Sequence, residues 1–352
     1  MSLKKAVLVA AKSAGLFALM RALTRKRPRI LCYHGGNLGD ERHYNPKLFC
    51  TTEQLRQRLD WLRSHGFAPA TLDETLEAGD GRAIPVAVTL DDGWYSSWRD
   101  LLPVLAEYGY RPVLYLHSEA YEQGGPIAGV ALRYLVWKAP RQPRQVAGFG
   151  PDLDGGYDLA REGDRRMLVE RAEHWLRTLA PRELEAGLVR LAEAVGVPAA
   201  TLDLASRRFS YMTRDELHQA ATNGCAIELH GHVHAYVPGE LEVNRANIER
   251  CRESILAAGL PNPVHYCYPS GRFDPGAASA MRAAGVRTAT TCLPGLVKIT
   301  HPDDAFFLPR FLDGGNVSMI EFEAEMSGVS ALVRKLASLV PGQARAGRPA
   351  MA

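Results

Sequence analysis

The sequence predicts a parallel β/α fold that is long enough to close into a barrel, and two observations lead to this prediction. Short apolar runs alternate along the chain with segments whose apolar residues recur at helical spacing. Residues suited to chemistry follow two of these apolar runs, and ligands of parallel β/α folds bind at the carboxyl ends of strands. The 352 residues, of which 46% are hydrophobic, suffice for one large core or two modest ones.

The elements alternate in chain order. Six strands are expected, at residues 29–33, 86–90, 113–116, 225–229, 264–268 and 288–292. After the first, Thr51 with Gln54 forms a capping box for a helix that Gly66 ends. Leu101 to Tyr108 have helical spacing before the stop at Gly109, and further helices are expected at 248–258 and 277–284. A strand followed by a helix is thus the repeating unit.

Composition divides the chain into four parts. Residues 1–27 are expected to form an amphipathic helix, 28–121 and 209–335 the barrel, 122–208 a mainly helical insertion, and 336–352 a disordered tail rich in Gly, Pro, Ala and Arg. Residues 142–156 of the insertion are rich in Pro, Gly and Arg, and the leucine stripe around Trp175 after them predicts a core-facing helix. The N-terminal helix has two interpretations: it lies on an anionic membrane surface, or it packs on the domain.

Charge and cysteine usage restrict the function classes. Forty-two Lys and Arg against 39 Asp and Glu give a net charge of +3, which does not favour a nucleic-acid partner. The six cysteines lack C-x-x-C spacing and lie mostly in apolar runs, which indicates reduced, buried thiols. A cytoplasmic location is therefore expected, with peripheral contact at the inner face of the cell membrane through the N-terminal helix.

Two motifs carry the chemistry. Thr89-Leu90-Asp91-Asp92-Gly93 closes one apolar run, and His230-Gly231-His232-Val233-His234 closes another. Carboxylate with imidazole suits Zn²⁺ or another divalent transition metal, and three protein ligands leave a position for water. Of the two aspartates, one is expected to bind the metal and the other to act as a base. The spacing does not say which two of the three histidines bind.

These motifs resemble those of the polysaccharide deacetylase family, whose catalytic domain is the NodB homology domain. Its T-F-D-D-G motif is similar to Thr89–Gly93, and its H-x-x-x-H motif to His230–His234. The resemblance implies an irregular (β/α) barrel over roughly 28–121 and 209–327. It also implies Asp91 as the general base and Asp92, His230 and His234 as ligands of one divalent metal, with His232 behind the ligands or facing substrate.

The remaining family motifs are incomplete in this chain. The third, R-x-P-Y-G, resembles Cys267-Tyr268-Pro269-Ser270-Gly271, which lacks the arginine that holds the base. Tyr268 and Ser270 are expected near an oxyanion or the substrate, or else in an ordinary turn. Nothing matches the late L-x-L-H motif that supplies the general acid. His34 and His232 are the candidate proton donors, and Arg310 is the candidate replacement for the missing arginine.

The resemblance implies hydrolysis of N-acetyl groups on amino sugars of a polysaccharide or a glycan precursor, with a carbohydrate as the partner. Two alternatives stay open. One is an amidase that acts on a small non-sugar molecule. The other is a glycan-binding protein that has kept the pocket but lost catalysis.

Overall fold

The computed structural model describes residues 3–77 and 79–338. Within these residues one curled, parallel sheet forms the centre of the molecule. The strands are β1 (Arg29–Tyr33), β2 (Gly35–Gly36), β3 (Phe49–Cys50), β4 (Phe67–Pro69), β5 (Ile84–Asp92), β6 (Val113–Leu116), β7 (Pro143–Val146), β8 (Gly155–Asp158), β9 (Ala226–Leu229), β10 (His265–Cys267), β11 (Thr288–Thr290) and β12 (Phe311–Leu312).

The sheet order brings the two motif-bearing strands close together. Neighbouring strands follow the order β11-β10-β9-β6-β5-β1-β12, and β4 pairs with β5 at its start. Only β6 lies between β5 and β9. A further parallel bridge joins Thr290 to Leu308, just before β12, so the two edges of the sheet approach each other. The predicted parallel β/α barrel is confirmed, with an irregular closure.

The described residues form fourteen α-helices, several of which cover the outer face of this sheet. They are α1 (Leu3–Ser13), α2 (Leu16–Leu23), α3 (Glu41–Tyr44), α4 (Thr52–Ser64), α5 (Leu102–Glu107), α6 (Ser118–Gln123), α7 (Ala128–Lys138), α8 (Glu162–Leu176), α9 (Leu184–Ala194), α10 (Arg214–Thr222), α11 (Leu241–Ala257), α12 (Ala277–Ala283), α13 (Met319–Ser327) and α14 (Val329–Ser338).

Local sequence explains where several helices begin. Thr51 and Thr213 each accept a hydrogen bond from the backbone N–H three residues later, at Gln54 and Glu216, which satisfies an otherwise unpaired donor of the first turn. Between sheet and helices lies the largest core, to which Leu31, Val88 and Leu229 contribute. Because strand side chains alternate, the opposite face of each strand lines the barrel interior, where the polar groups of the site are found.

Residues 122–208 form a subdomain with a core of its own. Helices α7, α8 and α9 bury leucines such as Leu132, Leu168 and Leu188 against one another. The Pro-, Gly- and Arg-rich stretch at residues 142–156 is not irregular throughout, because β7 and β8 pair there as an antiparallel hairpin. Trp175 packs against the same core, edge-on to Phe149. Side chains of this subdomain also reach the barrel, since Tyr134 donates a hydrogen bond to Asp40.

The N-terminal segment differs from the single helix expected over residues 1–27. It consists of α1 and α2, which meet at a 75° bend. Gly15 adopts a left-handed conformation (φ 78°), which cannot continue a right-handed helix. In the described part of the chain no individual helix has the length and apolarity to cross a membrane; only this bent pair does so jointly.

The tail expected to be disordered over residues 336–352 lies partly within the described residues. Residues 336–338 complete α14, which follows Gly328 in a left-handed conformation. This helix extends past 335 because Leu332, Val333 and Leu336 continue its helical apolar spacing. Residues 339–352 lie outside the described residues.

Candidate active site

Both aspartates lie at the carboxyl end of strand β5, at the edge of the sheet. Asp91 is its penultimate residue and Asp92 its last, and their side chains are only 4% and 15% exposed. Asp92 has a left-handed backbone (φ 73°), and so does Gly93 (φ 77°). This sharp turn ends the alternation of the strand, so that Asp91 and Asp92 contact different groups. A Cβ atom at Gly93 would lie 2.7 Å from the side chain of Leu116, which explains the glycine of the motif.

Asp92, His230 and His234 bring three ligand atoms to one point. Oδ1 of Asp92 lies 3.2 Å from Nε2 of His230 and 3.4 Å from Nε2 of His234. The two Nε2 atoms are 3.2 Å apart. Ligands bound about 2.0–2.1 Å from a tetrahedral Zn²⁺ lie about 3.3 Å from one another, so the spacing of these donors fits such an ion.

The protonation of His230 supports the same fit. Its Nδ1 lies 2.9 Å from the backbone carbonyl of Cys267, and a carbonyl can only accept a hydrogen bond. Nδ1 therefore carries a proton, and Nε2 is the atom that faces the cluster. Burial lowers the pKa of His230, but Cys267 and Asp92 more than offset this and raise it, so a bound cation would take the place of the Nε2 proton. Oδ1 of Asp92 is buried and accepts no hydrogen bond from the described residues. Three lone-pair donors facing one another are the environment that a divalent cation stabilises.

Asn247 of α11 shapes the loop that carries the histidines. Its side-chain carbonyl accepts the N–H of Val233 (2.7 Å), and its amide donates to the carbonyls of Val233 and Ala235. His232 faces away from the cluster, with Nδ1 at 3.0 Å from the hydroxyl of Ser118. The structure does not group His232, a candidate catalytic residue, with the cluster, because the left-handed Gly231 turns its side chain toward α6.

Arg310 and Asp91 form a buried, bidentate ion pair. Nη1 lies 2.6 Å from Oδ1 and Nη2 lies 2.9 Å from Oδ2. Both side chains are almost fully buried. Burial raises the pKa of Asp91, but the charge and hydrogen bonds of Arg310 more than offset this and lower the pKa to about 2. Asp91 is therefore ionised at neutral pH, and Arg310 holds its carboxylate through both oxygens.

Three cysteines surround this ion pair. The thiols of Cys32 and Cys267 lie 3.5 Å and 3.7 Å from Oδ2 of Asp91, and Cys292 lies 3.9 Å from Nη2 of Arg310. All six cysteines of the chain are free thiols, as expected. The remaining donors of Arg310 bind Thr89 and the carbonyl of Thr291, so its guanidinium is held from several sides.

His34 follows β1 and lies beside the base. Its Nε2 is 3.9 Å from Oδ2 of Asp91, and its side chain is 16% exposed. Its ring lies 6.0 Å from that of Trp94, and its backbone carbonyl accepts the hydroxyl of Ser97. His34 thus combines access from solvent with proximity to the reacting groups, unlike His232.

His117 and Tyr211 are site residues that the sequence did not reveal. His117 follows β6, and its ring lies 5.5 Å from that of His234 and 6.3 Å from that of Tyr211. Burial and the neighbouring His234 lower the pKa of His117 to about 3, so its ring is neutral. The strand-end rule applied to residues 113–116 would have found His117. No sequence signal marks Tyr211, whose backbone bridges to Trp94.

The third motif forms a tight turn, which is one of the two alternatives expected for it, and the structure places the side chain of Tyr268 outside the site. Its side chain is fully buried, and its hydroxyl donates to the carbonyl of Phe306. Cys267 points into the barrel, and because strand side chains alternate, Tyr268 points into the outer core. Ser270 is exposed at a left-handed position (φ 55°). Within the described residues, no recorded hydrogen bond or ion pair joins it to the cluster.

Comparison with known proteins agrees with this geometry. The sequence model of the polysaccharide deacetylase family matches residues 173–289, which include both histidine ligands and the end of the insertion but not Asp91 or Asp92. A search of curated proteins gave no match.

Solved deacetylases share the fold at low identity. A deacetylase of Streptococcus pyogenes, PplD in complex with acetate, has a TM-score of 0.53 and 12% identity over 85% of this chain and 98% of its own. A de-N-acetylase of Aggregatibacter actinomycetemcomitans gives 0.51 and 14%, over 85% and 99%. IcaB of Ammonifex degensii gives 0.50 and 18%, over 86% and 97%.

Fold, site and comparisons point to one class of protein, the hydrolases of carbon–nitrogen bonds other than peptide bonds, to whose members this chain is similar. The predicted resemblance to the polysaccharide deacetylases, with their NodB domain, is confirmed, and deacetylase activity is supported.

Proposed function

We propose that the protein is a metal-dependent deacetylase that removes N-acetyl groups from amino sugars of a polysaccharide or a glycan precursor. One observation carries the proposal: the ionised Asp91, held by Arg310, directly precedes Asp92 of the three-donor cluster. A base beside a cation site is the arrangement that amide hydrolysis by water requires. A cytoplasmic location stays a prediction.

Each residue of the site has a separate role in the proposed reaction. Asp92, His230 and His234 would hold one divalent transition metal, which we propose to be Zn²⁺ because two imidazoles and a carboxylate suit it. When bound, this ion would polarise the acetamide carbonyl and lower the pKa of water. Asp91 accepts the proton of the attacking water while Arg310 keeps its carboxylate in position. A proton delivered to the sugar nitrogen then allows acetate and the free amine to separate.

His34 is the proposed donor of that proton. It is the histidine nearest to Asp91, whereas His232 is bonded to Ser118 and turned away. We expect His34→Gln to lower kcat by about 10²- to 10⁴-fold, the usual contribution of a general acid, with KM and metal content little changed. His232→Gln is the matched control and should stay close to wild type. Steady-state kinetics with metal analysis will check this, and equal losses in the two variants would remove His34 from the role.

Substrate and metal dependence can be tested together. The purified protein is incubated with a panel of N-acetylated oligosaccharides and of small non-sugar amides, and the mass loss of one acetyl group is followed by mass spectrometry. We expect deacetylated sugars only, activity lost after chelation, and activity restored by Zn²⁺ or another divalent transition metal.

The other outcomes discriminate between the alternatives. Turnover of non-sugar amides alone would identify an amidase. Glycan binding without turnover in the metal-loaded protein would identify a binding protein, and the intact Asp91–Arg310 pair argues against that outcome. Activity that survives complete removal of metal would contradict the proposed chemistry.

A further inference from the structure

We infer that the two ends of the described chain form one docking surface for an anionic lipid bilayer. This terminal apolar surface is made by exposed side chains of α1, α2 and α14, namely Leu3, Val7, Leu19, Leu23, Val333 and Leu336. The inference concerns binding alone and does not depend on the proposed deacetylase reaction.

The apolar character of this surface is greatest on α2. All of its exposed residues are apolar: Ala18, Leu19, Ala22 and Leu23. Leu23 is 70% exposed and Leu19 is 55% exposed, while Phe17 on the opposite face is buried. Leu3 and Val7 lie one turn apart on α1 and are 83% and 59% exposed. Exposed apolar residues grouped in this way are typical of interaction sites.

Helix contacts join these residues into one region. α1 contacts α2, α2 contacts both α13 and α14, and a small core of Leu8, Phe17, Ala324 and Val329 lies beneath them. The sequence pattern pointed to the N-terminal segment alone. The fold adds α14, whose Val333 and Leu336 are both 55% exposed.

Charge identifies an anionic membrane as the occupant. No acidic residue occurs before Asp40, whereas Arg21, Arg25, Lys26 and Arg27 lie in or just after α2. These four basic residues form no ion pair with the side chains of residues 3–77 and 79–338. Basic residues beside exposed apolar ones are attracted to anionic lipid headgroups while the apolar side chains enter the interface.

The acidic residues of α13, on which α1 and α14 pack, are already neutralised. Glu321, Glu323 and Glu325 of α13 pair with Lys4 (2.8 Å), Lys12 (2.5 Å) and Arg334 (2.8 Å for its Nη1). These ion pairs dock α1 and α14 on α13 and leave the unpaired charge basic. The 75° bend between α1 and α2 is consistent with a segment that lies on a bilayer.

Flotation of the full chain with lipid vesicles tests the inference. We expect binding to phosphatidylcholine vesicles that contain 30% phosphatidylglycerol, and little binding to phosphatidylcholine alone. Leu19→Glu with Leu23→Glu should weaken binding at least about tenfold, because two leucines no longer enter the interface. Neutralising Arg25, Lys26 and Arg27 to glutamine should weaken it about a hundredfold at low salt.

Matched controls and contrary outcomes are available. Leu256→Glu with Ile299→Glu changes two exposed apolar residues elsewhere and should bind as wild type, with unchanged circular dichroism in every variant. Equal binding of all variants would overturn the inference. So would loss of a dimer on ultracentrifugation of Leu19→Glu/Leu23→Glu with unchanged lipid binding, which would assign the surface to a second copy. Bound protein that resists extraction with alkaline carbonate would indicate a membrane-spanning segment and would equally overturn peripheral docking.

Discussion

Replacing His234 by alanine is expected to deprive the protein of its metal and to lower kcat/KM at least about a thousandfold, because the cation supplies several kcal/mol of transition-state stabilisation. His234 contributes one of three donors that lie 3.2 to 3.4 Å apart. With two donors left, the affinity for a divalent ion falls steeply. His230→Ala should behave in the same way.

His232→Ala is the matched control, since it lies between the two ligands in the same loop. Its ring contacts Ser118 rather than the cluster, so the variant should keep about one metal per chain and most of its activity. Elemental analysis of the purified variants, together with acetate release, measures both properties. A His232→Ala protein without metal, or a His234→Ala protein with a full complement, would contradict the assigned ligand set.

Replacing Arg310 by methionine is expected to destabilise the folded protein by about 3–5 kcal/mol, because it leaves the carboxylate of Asp91 buried without its partner. The loss should show as a lower urea midpoint with an unchanged slope. Deacetylation should fall together with stability, since the carboxylate is no longer held in place.

The double variant Asp91→Asn/Arg310→Met separates the two effects. Removing both charges should recover most of the lost free energy of unfolding while activity stays absent, which gives a double-mutant coupling of several kcal/mol. Arg56→Met is the control: Arg56 also binds its partner, Glu107, through two nitrogens, but both side chains are exposed. Arg56→Met should therefore lower the free energy of unfolding by less than about 1 kcal/mol. Equal costs at positions 56 and 310 would refute the argument from burial.

Sequence reasoning identified the strands and the two motifs because these depend on local signals. An apolar run followed by Asp91-Asp92, or by the histidine triplet, combines a buried strand with the edge at which parallel folds bind ligands. The same rule placed His34. Applied to β6, the same rule would also have identified His117, which directly follows that strand. Arg310 is a candidate because it lies near the expected place of the late family motif, but its contact with Asp91 depends on barrel closure, which no local pattern contains.

The expectations differ from the structure in two respects: the direction of some side chains and the continuity of the N-terminal helix. Tyr268 was expected in the site, but its neighbour Cys267 faces the barrel and alternation therefore turns Tyr268 outward. His232 could not be distinguished from its neighbours by spacing, because the left-handed Gly231 interrupts the strand geometry. Gly15 likewise divided a segment whose apolar spacing predicted one helix. Each outcome depends on a backbone dihedral angle that composition does not determine.

The pairing of Asp91 with Arg310 joins residues that are 219 positions apart, and it lies where β12 docks on β1. During synthesis on the ribosome, the early strands emerge long before the residue that neutralises their carboxylate. A nascent chain that ends before position 310 would therefore hold a carboxylate without a counter-ion and would remain inactive. Docking of β12 on β1 is then the last step before activity, so activity should rise only after residues 310–312 have been translated and have left the ribosome.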